Sequence, residues 1–217
     1  MSDEVKPRRR YDSSRRRAQA ALTRADILAA ARDAFVERGY AAATVASIAK
    51  AAGVVVETVY RSFDGKAGLF RAVVEAAVAG GAARAERAPD DRPAIRAVME
   101  QTDPREQLRR YARTQPGIHE RLGPLLRVAA AAAASDAELA GVWRELEDFR
   151  RAGMGRFAGL LAERGALRAD LSVEEAGDLL WTLASHQVHE LLVVQRGWSP
   201  DRYADWLAEA LARELLP

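Results

Sequence analysis

The chain has 217 residues, no cysteine, and 33 Lys+Arg against 31 Asp+Glu, for a formal net charge of +2. Without cysteine there is no disulfide scaffold, no thiolate metal site and no cysteine nucleophile. No apolar run approaches the roughly 20 residues of a membrane span, and Met1 to Arg17 lacks the apolar core of a secretion signal, so a cytoplasmic protein without membrane contact is expected.

Residues 1–20 carry two arginine triplets, Arg8 to Arg10 and Arg15 to Arg17, in a polar context, and read as a flexible basic arm. The near-neutral total hides an uneven distribution. Residues 1–70 hold 13 basic and 8 acidic side chains, a net of +5, and residues 71–217 hold 20 and 23, a net of −3. A basic front on a mildly acidic body suggests that one end meets a polyanion.

Alanine, leucine, arginine and glutamate dominate, which predicts an all-α protein. The first helix is expected from about Arg24 to Arg38, capped by Thr23 and ended by Gly39 in a left-handed conformation. Ile27, Leu28, Ala31, Ala34 and Phe35 share its buried face. Short helices follow near 45–51, capped by Thr44, and near 56–62. A fourth starts near Lys66, with Asp64 as its cap and Leu69, Phe70, Val73, Val74 and Ala77 on its apolar face. The segment Ala88 to Pro93 reads as a connector. Longer helices are expected near 93–101, 104–115, 117–134, 136–165, 172–195 and 199–216, with Pro116-Gly117 separating the second from the third.

Residues 45–63 form the informative stretch. Ala49 is small enough for two short helices to cross closely, Gly53 tolerates the positive φ of the turn, and Ile48, Ala52, Val54 and Val59 can close a small core. That pattern is a helix-turn-helix, which leaves one face of its second helix free for a DNA major groove.

Residues 22 to about 80 resemble the DNA-binding domain of the TetR family of bacterial regulators. The matching residues are Ile27 to Ala31, Phe35, Gly39-Tyr40, Thr44-Val45, Ile48-Ala49, Ala52-Gly53-Val54, Thr58-Val59-Tyr60, Phe63, and Lys66 with Leu69. Less diagnostically, Glu120 to Leu126 and Gly197-Trp198-Ser199 resemble ligand-binding halves of actinobacterial members. The resemblance implies three parts. They are the arm (1–20), a helix-turn-helix domain (21–82) and a helical ligand-binding and dimerisation domain (83–217).

The resemblance also implies a homodimeric repressor, released from a palindromic double-stranded DNA operator by an unknown small molecule. It assigns Thr44, Thr58, Tyr60 and Lys66 to phosphate contacts, and Val56, Glu57 and Arg61 to the groove side. The exposed amides at Thr44 favour anions on physical grounds alone. Val55 departs from the family's usual Ser or Thr cap. It offers no capping oxygen, and with Val56 it can touch thymine methyls. Glu57 accepts from a cytosine amine or merely faces solvent. The Tyr60 ring is read as core as well as phosphate contact.

In the larger domain the stretch 172–195 is apolar nearly all round, and 199–216 presents a stripe of Tyr203, Trp206, Leu207, Ala210, Leu211 and Leu215. Both stripes are either core or, as the resemblance implies, a four-helix dimer interface. Candidate polar ligand contacts are Gln115, His119, Arg127, Glu147, Arg150, His186 and Gln187, each of which has a plain core or surface reading beside it. His186 and His189 lie three apart on a helix, but no third ligand has diagnostic spacing. No metal, no other cofactor and no enzymatic activity is therefore expected. The rival readings are an activator or ligand-independent DNA-binding protein of the same fold, or a helical interaction protein or enzyme.

Overall fold

The computed structural model describes residues 11–217, and residues 1–10, with the first arginine triplet, lie outside them. All regular structure among the described residues is helical. Helix α1 spans Tyr11–Ala42, so the second half of the expected arm is helix. Arg15 to Arg17 lie exposed on it. Arginine, alanine and glutamine propagate a helix without burying a face, and Thr23, the expected cap, lies inside. Gly39 breaks α1 at φ 77 and ψ 166. Its φ is positive as anticipated, but its ψ is extended rather than left-handed helical.

Ile27, Leu28, Ala31, Ala34 and Phe35 bury the anticipated face of α1. Just past Gly39, Tyr40 stacks on Phe35 at 5.6 Å, and Phe70 meets both rings edge-on at 5.3 and 5.6 Å. Helix α2 (Val45–Ala51) is followed by α3 (Val56–Phe63) and α4 (Gly65–Ala79). Asp64 does not cap α4 as expected. It sits in the left-handed region at φ 53, closes α3 through its N–H to the Tyr60 carbonyl, and makes no side-chain cap.

A one-turn helix α5 (Ala82–Ala85) and a 3₁₀ turn (Pro89–Asp91) occupy the connector. Helix α6 (Pro93–Met99) then leads to α7 (Pro104–Ala132). Two helices were expected in place of α7. A proline inside a helix costs about 3 kcal/mol through its missing N–H and its ring clash, yet α7 runs through Pro116 and Pro124. Its buried face (Leu108, Tyr111, Ala112, Gln115, His119, Leu125 and Ala129) packs along the whole length and holds the helix together.

Helix α8 (Ala137–Glu163) lies against α9 (Val173–Leu183), with Gly177 of α9 close over the Gly155 backbone. The expected single helix 172–195 is broken. Ser185 is extended at ψ 154 and its side chain caps α10 (His186–His189), which continues as a π-helical turn over Glu190–Gln195. Helix α11 (Pro200–Leu215) then packs mainly on α7. Its stripe, Tyr203, Leu207, Ala210, Leu211 and Leu215, is buried inside the chain. These five residues are therefore core within the chain, while Trp206, the sixth of the expected stripe, is only partly buried. The exposed large apolar residues of this half are instead Phe149, Val173, Leu191 and Val194.

Two apolar cores result. The second is formed by α6 to α9 and α11. The first joins α1 to α4 with Leu125 and Ala129 of α7 and Leu139 of α8. The front domain therefore shares its core with the larger one.

Candidate DNA interface and buried polar cluster

Helix α2 begins at Thr44, whose Oγ1 accepts from the Ser47 N–H at 3.1 Å while the Ser47 hydroxyl donates to the Thr44 carbonyl at 2.9 Å. Its end is a Schellman turn. The Gly53 N–H reaches the Lys50 carbonyl at 3.2 Å and the Val54 N–H reaches the Ala49 carbonyl at 3.0 Å. Gly53 supplies the required φ of 68. Ile48, Ala49, Val59 and Phe63 are buried, with Ala52 and Val54 packed against them. The turn therefore sets α3 across α2 with only one face spent on the core.

The other face of α3 is open. Glu57 and Arg61 are exposed, and Val55 and Tyr60 are 64% and 54% exposed. Thr44 is exposed beside them, while Thr58 is half-buried. Two expectations need correcting. Val56 is half-buried against the core rather than fully on the groove side, and the Tyr60 ring is surface rather than core. Val55 makes no side-chain cap, as its side chain dictates.

Lys66 stands at the start of α4. Its ammonium donates to the Ala41 carbonyl at 3.3 Å and lies 4.3 Å over the Tyr40 ring. Partial burial lowers its pKa, against the raising effect of Asp136. One of its three donors is thus used to close the end of α1, and the side chain is held in place between α1 and α4. Two contributors escaped the sequence reading. Arg24 covers Phe63 at 4.4 Å and donates to the Ser62 carbonyl at 3.4 Å. Gly68 lies under the end of α3, where a Cβ would come within 1.9 Å of the Phe63 carbonyl oxygen. No periodicity marks either residue, because both roles arise from helix crossing.

The sequence of residues 27–73 matches the family model for bacterial regulatory proteins of the tetR family. Residues 27–73 thus carry a TetR-type DNA-binding segment. Solved structures extend the likeness beyond the front domain. The chain is similar to NalD, the secondary repressor of the MexAB-OprM multidrug efflux pump in Pseudomonas aeruginosa. The identity is 25%, over 91% of this chain and 98% of that one, with a TM-score of 0.68. It also shares its fold with the fatty acid degradation regulator FadR from Bacillus halodurans. Here the identity is 20%, over 86% and 96% of the two chains, with a TM-score of 0.62. Comparison with curated proteins returns no match. The matched segment and the likeness to a solved repressor both point to a DNA-binding transcriptional regulator. No helix among the described residues is long and apolar enough to cross a membrane.

In the larger half of the chain the candidate ligand residues separate into groups. Gln115 and His119 are buried on α7, and His186 is half-buried on α10 facing them. Arg150 and Glu147 pair on α8 at 3.4 Å, and Arg150 also donates to the Trp181 carbonyl of α9. Arg127 and Gln187 are exposed. His189 and Tyr203, not among the candidates, join His119, with ring centroids 4.8 Å from His119 to His189 and 5.0 Å from His189 to Tyr203.

Burial above all, then the neighbouring imidazoles His189 and His186, pushes the His119 pKa down to about 3. Burial likewise lowers His186, against Glu190, and lowers His189. All three rings are neutral near pH 7. Neither His119 nitrogen makes a hydrogen bond of normal geometry, although the Ala184 carbonyl lies close enough to favour a ring proton.

Arg121 connects the two regions. It is half-buried on α7, and its Nε donates to the Ala77 carbonyl near the end of α4 at 2.7 Å. Gly80 follows in the left-handed region at φ 80.

Proposed function

We propose that the chain is a ligand-responsive, homodimeric repressor that binds a palindromic operator and leaves it when a small molecule occupies the larger domain. The observation that carries this reading is the division of α3 into a spent and an open face. Val59 and Phe63 are buried while Glu57, Tyr60 and Arg61 are exposed together. Glu57, Arg61 and the Val55 methyls reach base edges. Thr44, Thr58, Tyr60 and Lys66 hold phosphates and set register, and Val56 supports the helix start.

Two such helices about one DNA turn apart, roughly 34–36 Å, demand a two-fold dimer. The exposed apolar residues Phe149 of α8 and Leu191 and Val194 of the π-helical turn are the surface offered for it. Helix α8 thereby joins the stretches near 172–195 and 199–216 as a candidate for that interface. The arginines of α1 support binding through phosphate contact.

Release follows from linkage. A ligand that prefers a conformer with mismatched recognition helices weakens DNA binding, and DNA weakens the ligand by the same factor. The path is short, because the α7 that bears Gln115 and His119 also holds the end of α4 through Arg121. The test is selection of bound fragments from the source genome, followed by operator release in a small-molecule screen. A recovered palindrome that a metabolite or drug dissociates supports the reading. Salt-insensitive binding with no enriched palindrome would sink it.

A further inference from the structure

The chain has three histidines and no cysteine. At their ordinary values the other side chains change charge near pH 4 or above about pH 10. Apart from the terminal amine, the response to pH between about 5 and 8 therefore centres on His119, His186 and His189. The fold gathers all three at the junction of α7, which carries His119, and α10, which carries the other two. Their ring centroids are 5.8 Å apart for His119 and His186, 4.8 Å for His119 and His189, and 6.2 Å for His186 and His189. We propose that this cluster is a pH-sensitive latch, which holds α10 against α7 while its three imidazoles are neutral and lets α10 part from α7 in mild acid.

The cluster is built into the core. His119 and His189 are only 4% and 6% exposed. Both nitrogens of His119, and Nδ1 of His186 and of His189, are buried without a hydrogen-bond partner. An imidazolium there would bury a charge whose N–H groups have nothing to donate to, which costs far more than a neutral ring. The His186 ring lies against the α7 backbone at Gly123, where a Cβ would come within 3.1 Å of Cε1. It has no room to turn further toward α7, so the relief open to a charged cluster is outward movement of α10. That element is suited to move. It is a single turn, separated from α9 by the extended Ser185, and it runs on into the π-helical turn.

The charges facing the cluster are mixed. Glu190 lies 3.8 Å from His186 and favours its charged form, and Glu190 and Glu120 do the same for His189. Arg127 opposes a charge on His186, and Arg150 of α8 opposes one on His119. From α11, Tyr203 faces His189 at 5.0 Å, and burial raises the pKa of its phenol and of Tyr111, so both stay uncharged. Glu190 can thus accommodate one proton, on His186. A second, on His119 or His189, places two imidazoliums with ring centres 5.8 or 6.2 Å apart.

Burial lowers all three rings below the ordinary imidazole value of about 6.5. The parted state, in which the rings regain solvent, therefore binds more protons. The latch is fully closed above about pH 6.5 and loses stability as the pH falls below it. His119, pushed down to about 3, stays neutral in the closed state throughout. That residue alone shifts the ratio of closed to parted latch by about tenfold between pH 7.5 and 5.5. The consequence for regulation rests on the repressor reading. Helix α7 grips α4 through Arg121, and the π-helical turn carries Leu191 and Val194, offered for the dimer. Parting α10 from α7 loosens both.

The test is hydrogen exchange on the DNA-free full-length protein at pH 7.5 and 5.5, with rates corrected for intrinsic exchange. Protection of residues 186–195 should fall about tenfold or more on acidification, relative to that of α2 and α3. His119→Gln keeps a polar side chain that does not titrate, and it should remove about tenfold of that response. Loss of protection spread evenly along the chain overturns the latch, as does a His119→Gln variant with the full wild-type response. Circular dichroism checks folding. If His119→Gln unfolds, the wild-type profile decides, by whether the loss is confined to the cluster and the π-helical turn. No DNA enters the measurement, so a failed latch leaves the repressor reading untouched, and a failed operator search leaves the latch untouched.

Discussion

At Val55 the recognition helix begins with an extended residue whose side chain cannot accept from the first amides. A hydroxyl there would, so Val55→Ser should stabilise the protein by about 1 kcal/mol in chemical denaturation. No gain would mean that those amides are already satisfied in solution. Tyr60 and Lys66 belong to the same end of the molecule, but Lys66 also closes α1 and covers Tyr40. Truncating it to alanine would mix folding with binding. Tyr60→Phe with Lys66→Met keeps ring and stem while removing hydroxyl and charge. Affinity should fall for all DNA sequences, and the loss of the one cation should flatten the salt slope by about 1. An unchanged slope would remove Lys66 from the phosphate contacts.

Among elements, the helix-turn-helix was legible because its determinants are local. Ala49, Gly53 and Val59 fix the crossing and turn within a few residues, and the structure places Ile48 and Val59 in full burial. The α9–α10 break was not legible. Nothing in the near-continuous apolar pattern of 172–195 distinguishes Ser185 as extended, and α10 turns where its histidines meet α7. Pro116 misled in the opposite direction, since local chemistry predicted a break that packing along α7 overrides. The helical extension of α1 carries exposed Arg15, Arg16 and Arg17. Replacing all three by alanine should weaken operator binding at low salt and leave helix content intact. Equal affinity would dismiss this segment from the interface. Between α3 and α4, Gly68→Ala should cost about 3 kcal/mol in thermal or chemical unfolding, at the upper end for overpacking, because the added methyl meets backbone.

For the whole molecule, two apolar stripes are plain from residue spacing, but what covers each is not. An amphipathic pattern specifies that a face is buried, never by which partner. The α11 stripe is covered within the chain, and the uncovered apolar side chains lie on α8 and the π-helical turn. Phe149→Arg with Val194→Arg should therefore shift the protein toward monomer in analytical ultracentrifugation and weaken operator binding with it. A dimer unaffected by both changes would place the interface elsewhere. The candidate ligand set was only partly legible for a related reason. His119 and His186 converge, whereas His189 and Tyr203 reach the same cluster through tertiary contacts that spacing does not encode.

The contact at Gly68 bears on how such a protein lets go of DNA. With the Phe63 carbonyl resting where a side chain would begin, α3 and α4 meet backbone to backbone at their junction. The shared core then fastens α1 and α4 to Leu125 and Leu139 of the larger domain. Under the proposed reading, release is expected to tilt the front block as a unit about the α4–α7 contact. Distance probes placed between the two recognition helices of a dimer should move with a signal, while probes between α3 and α4 of one protomer should stay still.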